Sequence, residues 1–165
     1  MLDHSTSGWC NSVVVAALSL FSCVMMAMMA APALAAGLRE ERLTLVTSKG
    51  RHDIEIEIAE TPEQKAKGLM FRSQLAANRG MLFPYGSPQE ITMWMRNTYI
   101  PLDMVFIRAD GTVHRIEART EPLSEKIIPS RGQVVAVLEL AGGVAEKLGL
   151  KAGDKVLHKT FGTAP

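Results

Sequence analysis

A mainly β fold, a compact antiparallel sandwich or barrel-like domain with two short helices, is predicted for this chain by three observations. Apolar and polar side chains alternate over short runs such as Ile54-Glu55-Ile56-Glu57-Ile58, the period of a half-buried strand. Turn signals rich in Gly, Pro, Asp and Ser recur at intervals of about 8–12 residues. Only two segments carry helix-start and helix-stop residues in the right places.

The elements follow in chain order. Residues 13–36 carry no charge and end in Ala33-Leu34-Ala35 before Ala36, which gives an apolar h-region and a small-residue cleavage site. The n-region lacks Lys and Arg, and the apolar run exceeds the usual h-region of about 7–15 residues, so an uncleaved membrane anchor suits it too. Residues 1–35 are expected to be a signal peptide or N-terminal anchor, 36–42 a short linker and 43–161 a single β domain. The domain is then exported, periplasmic or extracellular, and touches a membrane only through residues 13–35 if they stay attached.

Leu43 to Glu60 reads as a hairpin turning at Ser48-Lys49-Gly50. Thr61 is an N-cap, Pro62 a first helical residue, Gln64 the partner in a capping box and Gly68 a stop. Leu69 to Gly80 is irregular, and Met81-Leu82-Phe83 is a short strand closed by the turn Pro84-Tyr85-Gly86-Ser87-Pro88. Ile91–Asn97 and Asp103–Ala109 are strands joined around Pro101, and Asp110-Gly111 turns the second into Thr112–Arg119. Thr120–Gly132 is a loop and Gln133–Leu140 a buried strand. Val144–Leu150 is the second helix, and Lys155–Phe161 the last strand.

Composition excludes several functions. Both cysteines, Cys10 and Cys23, precede residue 36, so the β domain has no disulfide framework, thiolate nucleophile or Cys-ligated zinc. With Asp3 set aside, 16 acids face 18 bases, a balance near +2 that gives no nucleic-acid footprint and no polybasic membrane patch. His52, His114 and His158 fall on three different expected strands, each on a solvated face, and no metal site is expected. Ser73, Ser87, Ser124 and Ser130 lie in loops without a nucleophile-elbow pattern, and no Gly-rich phosphate loop precedes a helix. Glu117 and Glu139 could pair with Asp103 as carboxylates, although an acid on a strand near a turn is the commoner reason for them. Gly142–Leu157 resembles the late part of a PDZ domain, but only eleven residues follow Asp154 and no carboxylate-binding loop precedes. No cofactor and no catalytic residue is assigned.

The informative stretch is Met93–Phe106, where Trp94, Arg96, Asn97 and Asp103 interrupt Met and branched aliphatics. On a strand, Ile91, Met93 and Met95 face the core, while Thr92, Trp94 and Arg96 share the other side. An indole beside a guanidinium binds anions or stacks on planar groups. Asp103 needs a partner, and Arg96 or Asn97 is nearest in sequence. Two accounts fit: an Arg96–Asp103 ion pair that fixes the strand connection, or a pocket with an aromatic wall and convergent polar groups.

The blocks Gly68–Arg72, Arg79–Phe83, Trp94–Ile107 and Val137–Val156 together resemble the domain of unknown function 192 family, small proteins of bacteria and archaea. The resemblance runs from about residue 43 to 161 and matches Trp94, Arg96, Asn97, Pro101, Leu102 and Asp103 position by position. It implies a mostly β, barrel-like sandwich with short helices, commonly behind an N-terminal signal or anchor. It implies no activity. Arg72, Arg79 and Glu139 join the candidate site only because they lie in the shared motifs. The expected function is an exported binding protein, taking a small anionic or planar molecule, or an extended peptide, at Trp94, Arg96, Asn97 and Asp103. The alternative is a cell-envelope enzyme using Asp103 as general acid or base beside Arg96.

Overall fold

A computed structural model of the protein describes residues 37–163; the expected signal or anchor at 1–35 lies outside them. Seven strands form one sheet: β1 (Arg39–Thr47), β2 (Gly50–Ile58), β3 (Arg79–Met93), β4 (Leu102–Ile107), β5 (Val113–Glu117), β6 (Ile128–Ala141) and β7 (Lys155–Leu157). Their spatial order is β5-β4-β6-β3-β2-β1-β7, and all pairings are antiparallel except β2–β3. The sheet curls into a half-barrel whose end strands approach one another. Thr112 bridges Lys155, Val113 N–H donates to the Asp154 carbonyl at 2.8 Å, and Val156 N–H donates to the Gly111 carbonyl at 2.8 Å. Gly111, at φ +76°, permits this closure, because a Cβ there would meet the Val156 carbonyl oxygen at 2.5 Å.

Two helices complete the chain. The first, α1 (Pro62–Lys67), has the expected capping box: Thr61 accepts from Gln64 N–H at 3.2 Å, and the Gln64 amide oxygen accepts from Thr61 N–H at 3.0 Å. It carries the chain from β2 to β3, and that crossover is why these two strands run parallel rather than antiparallel. The second, α2 (Val144–Leu148), is one short turn. Among the described residues no helix is long and apolar enough to cross a membrane.

Side-chain alternation divides the apolar residues between two clusters. One draws on every strand, including Leu43, Ile56, Leu82, Val105, Val113, Leu138 and Val156, and so fills the concave side. The other covers the opposite face of the central strands with Met81, Phe83, Met104, Phe106, Val137, Leu69 and Met95. β4, the second half of β6 and the start of β3 therefore bury both faces, which explains their nearly continuous apolar runs.

Several boundaries differ from the expectation. β3 continues through Pro84–Gln89 instead of turning there, because the ladder with β6 shifts register between Pro84 and Gln89 and again between Glu90 and Thr92. A proline without an N–H is tolerated at such an irregularity. β3 then stops at Met93, so Trp94–Asn97 lies beyond the sheet and the expected alternation across it does not apply. β6 starts at Ile128, inside the expected loop. β7 is three residues long, and Lys159–Phe161 is a 3₁₀ turn capped by the His158 ring rather than more strand.

Candidate functional site

Glu139 sits near the end of β6, between β4 and β3 in the sheet. Leu138 and Leu140 on either side of it face the concave core, so Glu139 turns to the other face. Its cross-strand neighbours there are Met81 on β3 and Met104 on β4, and it is 4 % exposed. The last turn of α1 and Gly68-Leu69-Met70 arch over this point. Between them and the sheet lies a cavity of about 250 Å³, walled by Phe83, Tyr85, Trp94, Met70 and Met93 and floored by Glu139. Lys65 and Lys67 stand at its rim, and the Lys65 ammonium lies 4.8 Å from the centre of the Tyr85 ring.

Burial alone acts on the Glu139 carboxyl and pushes its pKa up to about 8. Among the described residues every fully enclosed side-chain nitrogen or oxygen has a hydrogen-bond partner. The Glu139 oxygens, which have none, therefore open on the cavity. The Tyr85 hydroxyl is raised by burial and, secondarily, by the Glu139 charge, which puts the two groups within electrostatic reach. Tyr85 itself donates to the Met93 sulfur at 3.7 Å. At neutral pH the pocket thus presents a protonated acid in a lining that includes three aromatic rings.

The residues singled out by the sequence separate. Trp94, 44 % exposed, lines the cavity, as does Glu139. The Arg96 guanidinium lies 5.1 Å from the Trp94 ring centre, as the indole–guanidinium pairing anticipated, but its ion-pair partner is Glu125 at 3.1 Å, not Asp103. Asn97 takes a left-handed turn at φ +55°, with its carbonyl accepting from Phe71 N–H at 2.8 Å. Asp103 is elsewhere altogether. It is fully buried on β4, where one carboxylate oxygen accepts from the N–H groups of Arg119 (2.8 Å) and Gly143 (3.0 Å). The other oxygen accepts from Gly143 (2.9 Å) and Ala145 (2.8 Å). Gly143 is the N-cap of α2 and offers no side chain, so Asp103 caps that helix from across the fold. The expectation that Asp103 joins Arg96 in a pocket is corrected here: three backbone donors in a closed site occupy it.

Arg72 and Arg79 line a separate shallow hollow with Gln74, Leu75 and Ala76. Both are already paired, Arg72 through two bonds of 2.6 Å to Glu57 and Arg79 through one of 2.5 Å to Glu40. Glu117 pairs with Arg115. His158, expected on a solvated face, is buried and bonds Glu41 and Thr160, each at 2.9 Å. Among the described residues no three His, Cys, Asp or Glu side chains converge on a metal-sized site.

Sequence reasoning missed the roof of the cavity: Lys65, Lys67, Gly68 and Met70 from α1 and its exit, and Tyr85 from what reads as a turn. One signal was present, since Glu139 is a single acid in an otherwise apolar run, Val134–Leu140.

Fold and site define a class of small half-barrel β domain, with short helices at the sheet's margins and one unpartnered carboxyl facing an aromatic-walled hollow. The chain belongs to the family of domain of unknown function 192, described as Uncharacterized ACR, whose model matches residues 44–158. A crystal structure from Sinorhizobium meliloti, of a protein provisionally described as a transcription regulator, is 44% identical with TM-score 0.73, covering 76% of this chain and 98% of its own. A second, from Novosphingobium aromaticivorans and described as of unknown function, is 44% identical with TM-score 0.72, covering 79% of this chain and 94% of its own. No curated protein matches the chain at significance.

Proposed function

We propose that this is an exported binding domain, working in the periplasm or outside the cell, which takes a small planar molecule into the cavity between α1 and the sheet. One observation carries the reading: a hollow of about 250 Å³ framed by Phe83, Tyr85 and Trp94, with the Glu139 carboxyl and the Thr92 and Thr98 side chains as its few placed polar groups. Ligand pockets combine mostly apolar walls with a few placed polar groups in this way. Of the candidates named from the sequence, Trp94 and Glu139 line this cavity. A carboxyl at the floor favours a planar ligand over one that buries an anion. An extended peptide has less support, because the two end strands of the sheet, β5 and β7, already satisfy part of each other's edges. Acid–base chemistry at Asp103 lacks support for the reason given above.

The provisional description of the relative as a transcription regulator suggests a second reading, nucleic-acid binding. It is disfavoured by the pairing of Arg42, Arg72, Arg79, Arg96, Arg115 and Arg119 with carboxylates, which leaves no basic stripe among them. To test the main reading, the purified full chain is incubated with a mixed library of small planar compounds, and retained compounds are identified by mass spectrometry. The parent should retain members that the Trp94→Ala variant retains at least tenfold less. Equal retention by the two proteins, or none by either, refutes the assignment.

A further inference from the structure

Glu139 poses a chemical question that the fold does not answer. A carboxyl at 4 % exposure, with neither a hydrogen bond nor a cation to hold it, is costly and rare in a native core. Its oxygens nevertheless open on a cavity. The polar groups that line the same cavity are the Tyr85 hydroxyl and Thr92 from β3, Thr98, whose hydroxyl donates to the Arg96 carbonyl at 3.2 Å, and the Lys65 and Lys67 ammoniums from α1; the adjacent strands turn Met81 and Met104 toward Glu139. Neither lysine pairs with it, and Lys65 rests instead on the Tyr85 ring. No neighbouring group therefore donates to the Glu139 oxygens, and the walls include ring faces, which attract positive charge.

We infer that the cavity takes the protonated amine of a small arylalkylamine, its ammonium on the Glu139 carboxylate and its ring among Phe83, Tyr85 and Trp94. This rests on the small-molecule reading above and names the ligand class for that same site. A cation brought to the floor makes ionised Glu139 the stable form, so binding the amine releases the proton that the free pocket holds. Affinity for the amine then rises with pH, by about tenfold for each pH unit below the free pocket's titration, and levels above it. A neutral ligand that accepts a hydrogen bond from the protonated acid shows the opposite trend.

Three probes of one shape separate these outcomes: tryptamine, its alcohol counterpart tryptophol, and indole-3-acetate. Binding to the full chain is followed by NMR of ¹³C-labelled methionine methyls. Met70 and Met93 line the cavity, whereas Met95 lines a different hollow beside Thr120 and Ile128 and reports binding there. Tryptamine should shift Met70 and Met93, leave Met95 still, bind about tenfold tighter at pH 7 than at pH 6, and outbind tryptophol by at least tenfold. Glu139→Gln, whose folded state the same spectrum verifies, should lose that preference and the pH dependence. If tryptophol or indole-3-acetate moves Met70 and Met93 as readily as tryptamine does, the amine assignment falls and the small-molecule pocket stands. If none of the three moves them at any concentration, both fall.

Discussion

Replacing Glu139 with glutamine should make the protein more stable at alkaline pH, and the structure sets the size of the effect. In the folded protein burial raises this carboxyl from 4.5 to about 8. The folded state therefore holds a proton that the unfolded chain gives up above pH 4.5. Stability contributed by that proton is complete below pH 4.5, declines as pH rises and is gone once pH passes about 8. Each pH unit in the window is worth about 1.4 kcal/mol, so the loss between pH 5 and pH 8 reaches about 4 kcal/mol if the pocket stays dry. Water entering the pocket mouth relaxes such a penalty, and about 2 kcal/mol is a working lower figure. Glutamine has the same shape and no proton to lose. Its own packing cost is the same at every pH and cancels when slopes are compared. Glu41, Glu57 and Asp110 are held below their usual range, so they finish titrating under the window, and His158 is common to both proteins. Chemical denaturation of parent and variant at pH 5, 6, 7, 8 and 9 measures the difference. The curves should lie within about 1 kcal/mol at pH 5 and diverge by about 2–4 kcal/mol at pH 8, or about 6–12 °C in melting temperature. Parallel curves across the whole range would show that Glu139 is solvated, and the reasoning built on its burial would fail.

Other substitutions test the remaining architecture. Asp103→Ala strands the N–H groups of Arg119, Gly143 and Ala145 and should cost about 3–5 kcal/mol in denaturant unfolding; a loss under 1 kcal/mol contradicts its capping role. Arg96→Ala removes an exposed ion pair with Glu125 and the stacking on Trp94 and should cost no more than about 1 kcal/mol, which calorimetry can check against the Asp103 variant. Gly111→Ala drives a Cβ to 2.5 Å from the Val156 carbonyl and should loosen the β5–β7 closure; amide exchange at Val113 and Val156 should then accelerate at least tenfold, and unchanged protection would mean that the contact yields easily. Arg72→Ala breaks a half-buried bidentate pair with Glu57 and should lower stability by about 1–2 kcal/mol, a loss that 1 M salt only partly abolishes in the parent.

Local chemistry was readable from residues alone. The hairpin of β1 and β2, the capping box of Thr61 and Gln64 and the stop at Gly68 depend on neighbours within a few positions, and all are found as expected. What depends on distant partners was not. Nothing near Pro84 tells that β6 will carry it through the sheet with two register shifts, and nothing near Ile58 tells that α1 will return the chain parallel. Trp94 and Arg96 were placed together by strand alternation, yet they come together as a stacked pair beyond the strand's end. Asp103 looked like a group in need of a side-chain partner, Arg96 or Asn97. Its three donors are main-chain N–H groups from residues 119, 143 and 145, which are silent in a reading of side chains. Glu139 could be seen as an anomaly in its strand, whereas the cavity that gives it meaning needs α1 folded over the sheet.

The pairing of β1 with β7 leaves the first and last stretches of the domain side by side, tied by Glu41 to His158 and to Lys159 at 2.9 and 2.6 Å. In topological terms the domain is almost a ring that happens to be cut at this seam. A short linker could rejoin it there, with a new cut made in the mostly exposed stretch Glu121–Lys126, far along the chain from the seam. Such a permuted chain would put any fused reporter next to the stacked Trp94 and Arg96, through Glu125, rather than beside the seam.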